Sequence, residues 1–199
     1  MKRIISLLMC VILIAGIACS FAGCSSAKMT EENVTETVEK AQTALKEFDT
    51  KALKKYVDSE TLDVIIPIAE KREEFQTLGK AMFKNLKMEI KSIDLDKSTV
   101  TLEVINKDLM VEATAFAYSL KTNYSNAQLL TKVNDDDFIN KNLNPLIEKI
   151  EGAKMKKEKT EITLTVKKAK RNLMLVFDTE GEDAVSGDAL SAIKSVFGV

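Results

Sequence analysis

The strongest constraint on the fold is a change in the spacing of apolar residues near residue 86. Before this point they recur every three or four positions, which is the period of an amphipathic helix. The first such stripe consists of Val34, Val38, Ala41, Leu45 and Phe48. From Leu86 through Met88 and Ile90 apolar residues alternate with charged ones, which is the period of a half-buried strand. Blocks of both periods predict an α+β fold.

The first strand block is predicted to form a β-hairpin. The alternation resumes on the other parity at Ile93 and Leu95, which predicts a β-bulge near residues 91–92. The turn is DLDKS, residues 94–98. The inward residues of the strand after this turn are Val100, Leu102 and Val104.

A second hairpin follows a long helical segment. Its first strand has the inward residues Ile162, Leu164 and Val166, and its turn lies near residues 170–172. Residues 173–177 are apolar on both parities, which predicts a strand buried on both faces. Together the blocks predict helices packed on an antiparallel sheet, in one domain that covers residues 30–199.

Capping residues, prolines and glycines set the predicted helix boundaries. The predicted N-caps are Thr30, Asp58-Ser59 for a third helix with Leu62, Ile65 and Ile66 inward, Asp108, and either Asn134 or Asp135. Pro67 and Pro145 are expected to kink or interrupt their helices, and Gly152 to end the second of these. A short second helix is predicted to carry Leu53, Tyr56 and Val57. A final helix from about Gly187 is predicted to bury Leu190, Ile193 and Phe197. Further inward residues are Leu78, Phe116 and Leu175.

The N-terminus has the pattern of an export signal. Lys2 and Arg3 precede an apolar run over residues 4–18, which is the length of a signal h-region and short for a bilayer-spanning helix. Ala22-Gly23-Cys24 then resembles the lipobox of bacterial lipoproteins, in which the cysteine is lipidated and becomes the first mature residue. The rival match, Gly16-Ile17-Ala18-Cys19, is poorer. An ordinary signal peptide cut near residue 22 or 25 and an uncleaved anchor are the alternatives.

The lipobox resemblance divides the chain into three parts. Residues 1–23 would be a lipoprotein signal peptide, residues 24–29 a lipidated cysteine with a short tether, and residues 30–199 the domain. Cys10 and Cys19 would leave with the signal, and Cys24 would carry its sulfur in a thioether. No thiol would then remain for a disulfide, a metal or nucleophilic catalysis. The resemblance implies an extracytoplasmic protein that is anchored to the bacterial cell membrane by lipid.

The order of the elements resembles a group of bacterial lipoproteins with a cystatin-like fold related to nuclear transport factor 2. The closest match is the end of the first hairpin, Asn106-Lys107-Asp108-Leu109. This resemblance covers most of residues 30–199. It implies a curved sheet around a long helix, often with a cone-shaped pocket that relatives use for catalysis, for binding or not at all.

Composition removes several classes of chemistry. The chain has no His, so the commonest general base and metal ligand is absent. The 29 basic and 30 acidic residues are interleaved, which argues against a nucleic-acid partner. Gly-rich phosphate loops are also absent. We therefore predict no catalytic residue, no cofactor and no metal site.

Two acidic clusters are interpreted as structural. Asp94, Asp96 and Ser98 resemble the start of a calcium loop, but the glycine and the final glutamate of such a loop are missing, so a solvated turn is predicted. Residues 135–137 are three aspartates in a row, and we predict a helix cap rather than a weak divalent-cation site. The tyrosines, Tyr56, Tyr118 and Tyr124, are predicted at the edge of the core. Five methionines are predicted to fill gaps in the core: Met82, Met88, Met110, Met155 and Met174.

Three functions remain open. The favoured one is a non-enzymatic domain, anchored to the membrane through lipid on Cys24, that binds a peptide, a small molecule or an envelope protein. The second is an enzyme that uses acidic residues and tyrosine, which a pocket with two inward carboxylates would support. The third is an assembly factor, which a large exposed apolar patch would support.

Overall fold

The computed structural model of the chain describes residues 27–132 and 134–198. These residues form nine helices and five strands. The helices are α1 (Glu31–Glu47), α2 (Thr50–Tyr56), α3 (Glu60–Ala69), α4 (Glu73–Phe83), α5 (Met110–Asn123), α6 (Asn126–Lys132), α7 (Asp136–Gly152), α8 (Thr179–Ser186) and α9 (Ala189–Phe197). The strands are β1 (Val57–Asp58), β2 (Lys87–Asp94), β3 (Thr99–Ile105), β4 (Thr160–Lys168) and β5 (Leu173–Val176). The α+β class is therefore confirmed. None of the helices in these two ranges is long and apolar enough to cross a membrane.

The sheet is mixed, which corrects the predicted antiparallel sheet. Its strand order is β1-β5-β4-β3-β2, and every neighbouring pair is antiparallel except β1 and β5, which are parallel. Val57 was predicted inside the second helix, but it lies opposite Leu175 in the sheet. Val57 caps α2 in an extended conformation, and the β-branched side chain suits that conformation.

Both predicted hairpins are present, with the predicted faces inward. Val100 lies opposite Leu164, Leu102 lies opposite Ile162, and all four side chains are buried. The register of β2 and β3 shifts between Ile90 and Ser92, which confirms the bulge. Leu95 lies in the predicted turn and is 39% exposed, so the inward alternation ends at Ile93.

The two prolines do not interrupt their helices. Pro67 lies inside α3 and Pro145 inside α7, and both are exposed. Proline removes one backbone hydrogen bond, and on a solvent-facing side water can satisfy the carbonyl that is left free. Gly152 is the last residue of α7 rather than the residue beyond it.

The predicted caps are mostly confirmed. Thr30 and Asp135 accept hydrogen bonds from the third backbone N–H of α1 and α7 respectively. Asp108 is wrong as the N-cap of α5, because Leu109 occupies that position and Asp108 only reaches the Met110 N–H at 3.4 Å.

Two clusters of buried side chains form the core. The larger one packs α1 and its neighbours on the inner face of the sheet, and the smaller one joins α4, α5, α7 and α9. Of the predicted core residues, Phe48, Leu164 and Leu175 are buried, whereas Leu78 and Phe116 are partly buried.

The C-terminal part differs from the prediction in two ways. Helix α8 was not predicted, and α9 buries Ala189, Ala192 and Val196 more deeply than the expected Leu190, Ile193 and Phe197. Strand β5 is fully buried on one face only, because Met174 and Val176 on the other face are partly exposed.

The segment Asn106–Leu109 ties these parts together. The Asn106 side-chain amide donates to the carbonyls of Met82, at the end of α4, and Val185, in α8. The Lys107 ammonium donates to two carbonyls at the end of α7, and the Leu109 N–H donates to the Gly187 carbonyl. The motif that carried the resemblance therefore has a structural role in this chain.

Candidate functional site

An apolar cavity of about 160 Å³ lies among α1, α3, α4, α8 and α9. Val57 of β1 and Phe177, just beyond β5, also border it. Its wall includes Leu62 and Ile65 of α3, Phe75 and Leu78 of α4, and Leu190 and Ile193 of α9. An apolar cavity of about 150 Å³ in another protein holds one benzene molecule. The cavity can therefore take an aromatic ring or a short aliphatic chain.

One carboxylate, Glu182 of α8, borders this apolar space. It is only 7% exposed, so its charge requires internal partners. Ser59 Oγ lies 2.5 Å from Oε1, and Thr61 Oγ1 lies 2.6 Å from Oε2. The Thr61 N–H donates to Oε1 at 3.1 Å, and Lys194 Nζ lies 3.7 Å from Oε2. The carboxylate therefore joins α8 to the start of α3.

These contacts set the protonation state of Glu182. Burial alone would raise the pKa of this carboxyl, but the hydrogen bonds from Ser59 and Thr61 together outweigh burial and lower the pKa below its ordinary value. Glu182 is therefore ionised at neutral pH. A general acid near neutral pH would need the opposite shift.

Phe48 forms the cavity wall at the end of α1 in a strained backbone conformation. Its φ is 46°, which is unusual for a bulky residue. The N–H groups of Phe48 and Asp49 donate to the carbonyls of Leu45 and Ala44, the pattern of a Schellman motif, in which glycine is usual. The Phe48 ring stacks with Phe83, with centroids 6.3 Å apart.

Gly79 leaves the space that this ring occupies. A Cβ at Gly79 would lie 2.2 Å from Phe48 Cδ2, so any larger residue at position 79 would displace the ring. The pairing of Gly79 with Phe48 therefore fixes one wall of the cavity.

The two acidic clusters lie outside the cavity, and each has structural partners. The Asp94 carboxylate accepts the Lys97 N–H, and this hydrogen bond is the main reason that its pKa is lowered. The pKa of Asp135 is lowered chiefly by Lys132, and Asp136 pairs with Arg72 Nη2 at 2.7 Å. Within residues 27–132 and 134–198, no three acidic, His or Cys side chains form a group that could hold a metal ion.

The tyrosines and methionines divide between the core and the surface. Tyr56 is partly buried, and the Tyr124 ring packs edge-on against Phe138. Tyr118 is 58% exposed, so its predicted place at the core edge is wrong. Met88 is buried and Met82 lines the cavity, but Met110 and Met155 are exposed rather than filling gaps.

Sequence reasoning missed Glu182, which is the central polar residue of the cavity. It lies in a polar stretch, TEGED, residues 179–183, that has the composition of an exposed surface. Ser59 was predicted as a helix cap, and it does accept the Leu62 N–H. The local pattern gave no sign that the same hydroxyl reaches a carboxylate 123 residues away.

The predicted lipidation site, Cys24, lies outside the described residues, as does the predicted signal peptide. Comparison of the chain with known protein families, curated proteins and solved structures finds no match.

Proposed function

We propose that this chain is a lipid-anchored lipoprotein on the outer side of a bacterial cell membrane, and that its domain binds a small apolar group without catalysis. The observation that carries the binding role is the apolar cavity of about 160 Å³. Apolar walls with few polar groups are typical of small-molecule sites. The N-terminal lipobox resemblance supports the anchoring.

The polar chemistry of the cavity favours binding over catalysis. Among the described residues that line it, Glu182 is the one with an ionisable side chain. Its two oxygens already accept three hydrogen bonds, and its lowered pKa keeps it charged. An acidic-residue enzyme would need a second carboxylate with a separated pKa. We therefore infer that Glu182 holds the walls of the cavity together.

We propose a cystatin-like fold related to nuclear transport factor 2 for the domain. The packing of the long helix α1 on the inner face of the sheet supports this assignment. The cavity differs from the pocket that the resemblance implies, because helices form most of its wall. The ligand should therefore contact α3, α4 and α9 more than the sheet.

Benzene should stabilise the full-length chain if the cavity binds small apolar groups. A ligand that binds only the folded state at ten times its Kd adds about 1.4 kcal/mol to the free energy of unfolding. Urea unfolding with and without saturating benzene measures this gain. No change in the unfolding midpoint would contradict the binding proposal.

Two neighbouring residues of α3 offer a matched pair of variants. Ile65 lines the cavity, whereas Val64 is 67% exposed. Ile65→Phe should fill the cavity and abolish the benzene effect, and Val64→Phe should leave it intact. If both variants lose the stabilisation by benzene, or if neither loses it, benzene does not bind in this cavity.

Replacing Cys24 with Ser should abolish lipidation, because serine has no sulfur to form the thioether. Metabolic labelling with a fatty-acid analogue measures incorporation, and membrane fractionation measures release or misprocessing. Cys19→Ser is the control and should retain the label at wild-type level. Unchanged labelling of the Cys24→Ser variant, or label that moves to Cys19, would contradict the anchoring proposal.

A further inference from the structure

A second cleft, of about 300 Å³, lies beside the point where the described chain begins. It is bordered by residues 27–28, the first three turns of α1, the end of α2 and the turn between β4 and β5. Four of its side chains are cationic: Lys28, Lys40, Lys55 and Arg171. The lining has a single acidic residue among the described ones, Glu36, so the cleft carries a positive charge.

Two of the cationic side chains pack around the Tyr56 ring, and a hydrogen bond fixes the turn that carries a third. Lys40 and Lys55 place their ammonium groups 5.5 Å and 5.1 Å from the centre of the Tyr56 ring. The side-chain amide of Asn172 donates to the Lys55 carbonyl, which links the β4–β5 turn to the end of α2. Lys40 also pairs with Glu36 at 2.6 Å, but both side chains remain largely exposed. The four cations are exposed and lie on four separate segments: the residues before α1, α1 itself, α2 and the β4–β5 turn.

The position of this cleft brings it close to the proposed anchor. Ala27 and Lys28 border it directly. Ala27 is three residues beyond Cys24, and three residues span at most about 11 Å when extended. Electrostatic attraction acts over about 8 to 10 Å at physiological ionic strength. A membrane that holds Cys24 therefore lies at most about 11 Å from Ala27 at the edge of the cleft, a separation comparable with this range.

We propose that this cleft binds the phosphate of anionic membrane lipid headgroups. Arg171 can donate two parallel hydrogen bonds to phosphate, and the lysines supply point charges. Clusters of basic residues beside a membrane anchor attract anionic lipids. The inference rests on the proposed membrane anchoring. Headgroup binding would orient the domain, with the first turns of α1 towards the bilayer.

Lysine acetylation footprinting of the full-length chain in vesicles tests this inference. In vesicles with 30% phosphatidylglycerol, Lys28, Lys40 and Lys55 should react about fivefold more slowly than in phosphatidylcholine vesicles. Lys141, which is exposed on α7 and does not border the cleft, is the internal reference. High salt should remove the protection, because the attraction is electrostatic. Equal rates in the two kinds of vesicle would overturn the proposal.

A variant and a soluble phosphate identify the source of any protection. The double variant Lys55→Gln with Arg171→Gln should lose the protection at Lys28 and Lys40, whereas Lys141→Gln should retain it. Protection that survives the double variant would overturn the proposal. So would equal protection by glycerol phosphate in phosphatidylcholine vesicles, which would make the ligand a soluble phosphate. Failure of anchoring is distinguishable, because the chain would then not sediment with either vesicle.

Discussion

Replacing Gly187 with Ala should destabilise the protein by about 4 kcal/mol or more, which is exceptional for one methyl group. Gly187 ends α8 with φ 64°, a conformation that costs other residues about 1 to 2 kcal/mol. A Cβ there would lie 1.9 Å from the Lys107 carbonyl oxygen, which is backbone and cannot rotate away. The clash would also break the hydrogen bond from the Leu109 N–H to the Gly187 carbonyl. Urea unfolding followed by circular dichroism measures the loss.

The matched control is Gly152→Ala at the end of α7. A Cβ at Gly152 meets no atom within 4 Å, and its backbone is helical. Alanine is more favourable than glycine in a helix by about 0.5 to 1 kcal/mol, so this variant should be neutral or slightly stabilised. Similar unfolding midpoints for the two variants would show that Gly187 does not pack against Lys107 as described.

The sheet faces could be predicted because their signal is local. The alternation at Val100, Leu102 and Val104 requires one buried face, and a shift of one residue would turn all three to solvent. The bulge followed from a change of parity between Ile90 and Ile93. Residues that are close in the sequence determine these faces and the bulge, so both can be predicted without knowledge of the tertiary structure.

The errors arise where distant parts of the chain decide the outcome. Val57 leaves its predicted helix because β5, more than 100 residues later, offers a pairing partner. Tyr118 was placed at the core edge by its apolar neighbours, but the core contacts of α5 run along Ala113 and Ala117. The expected burial of both faces of β5 failed at Met174 and Val176. Composition alone could not distinguish these cases.

The cavity could not be predicted for the same reason. Its walls come from helices separated by more than 100 residues, and its central carboxylate, Glu182, has the local sequence of a surface helix. The Gly79–Phe48 contact depends on how α4 crosses the end of α1. The spacing of apolar residues does not predict that crossing. The sequence did predict α3 and its Ser59 cap, but not the second partner of that serine.

Replacing Glu182 with Ala should cost about 3 to 5 kcal/mol, because it leaves one buried and two partly buried donors without an acceptor. The Ser59 hydroxyl, the Thr61 hydroxyl and the Thr61 N–H all donate to this carboxylate. The effect should depend on pH. The folded-state pKa of Glu182 is below its ordinary value of 4.5, so its contribution is complete above that value and is lost as the pH falls through the folded-state pKa.

Glu182→Gln separates the charge from the shape. Glutamine keeps one acceptor oxygen but places an amide donor towards Thr61 or Ser59, so we expect a loss smaller than that of the alanine variant. Because glutamine does not titrate, the stability gap between wild type and this variant should narrow between pH 6 and pH 3. Urea midpoints at both pH values measure the gap. A gap that stays constant would show that the Glu182 carboxylate gains nothing from its ionised state, and that its contacts with α3 act through shape alone.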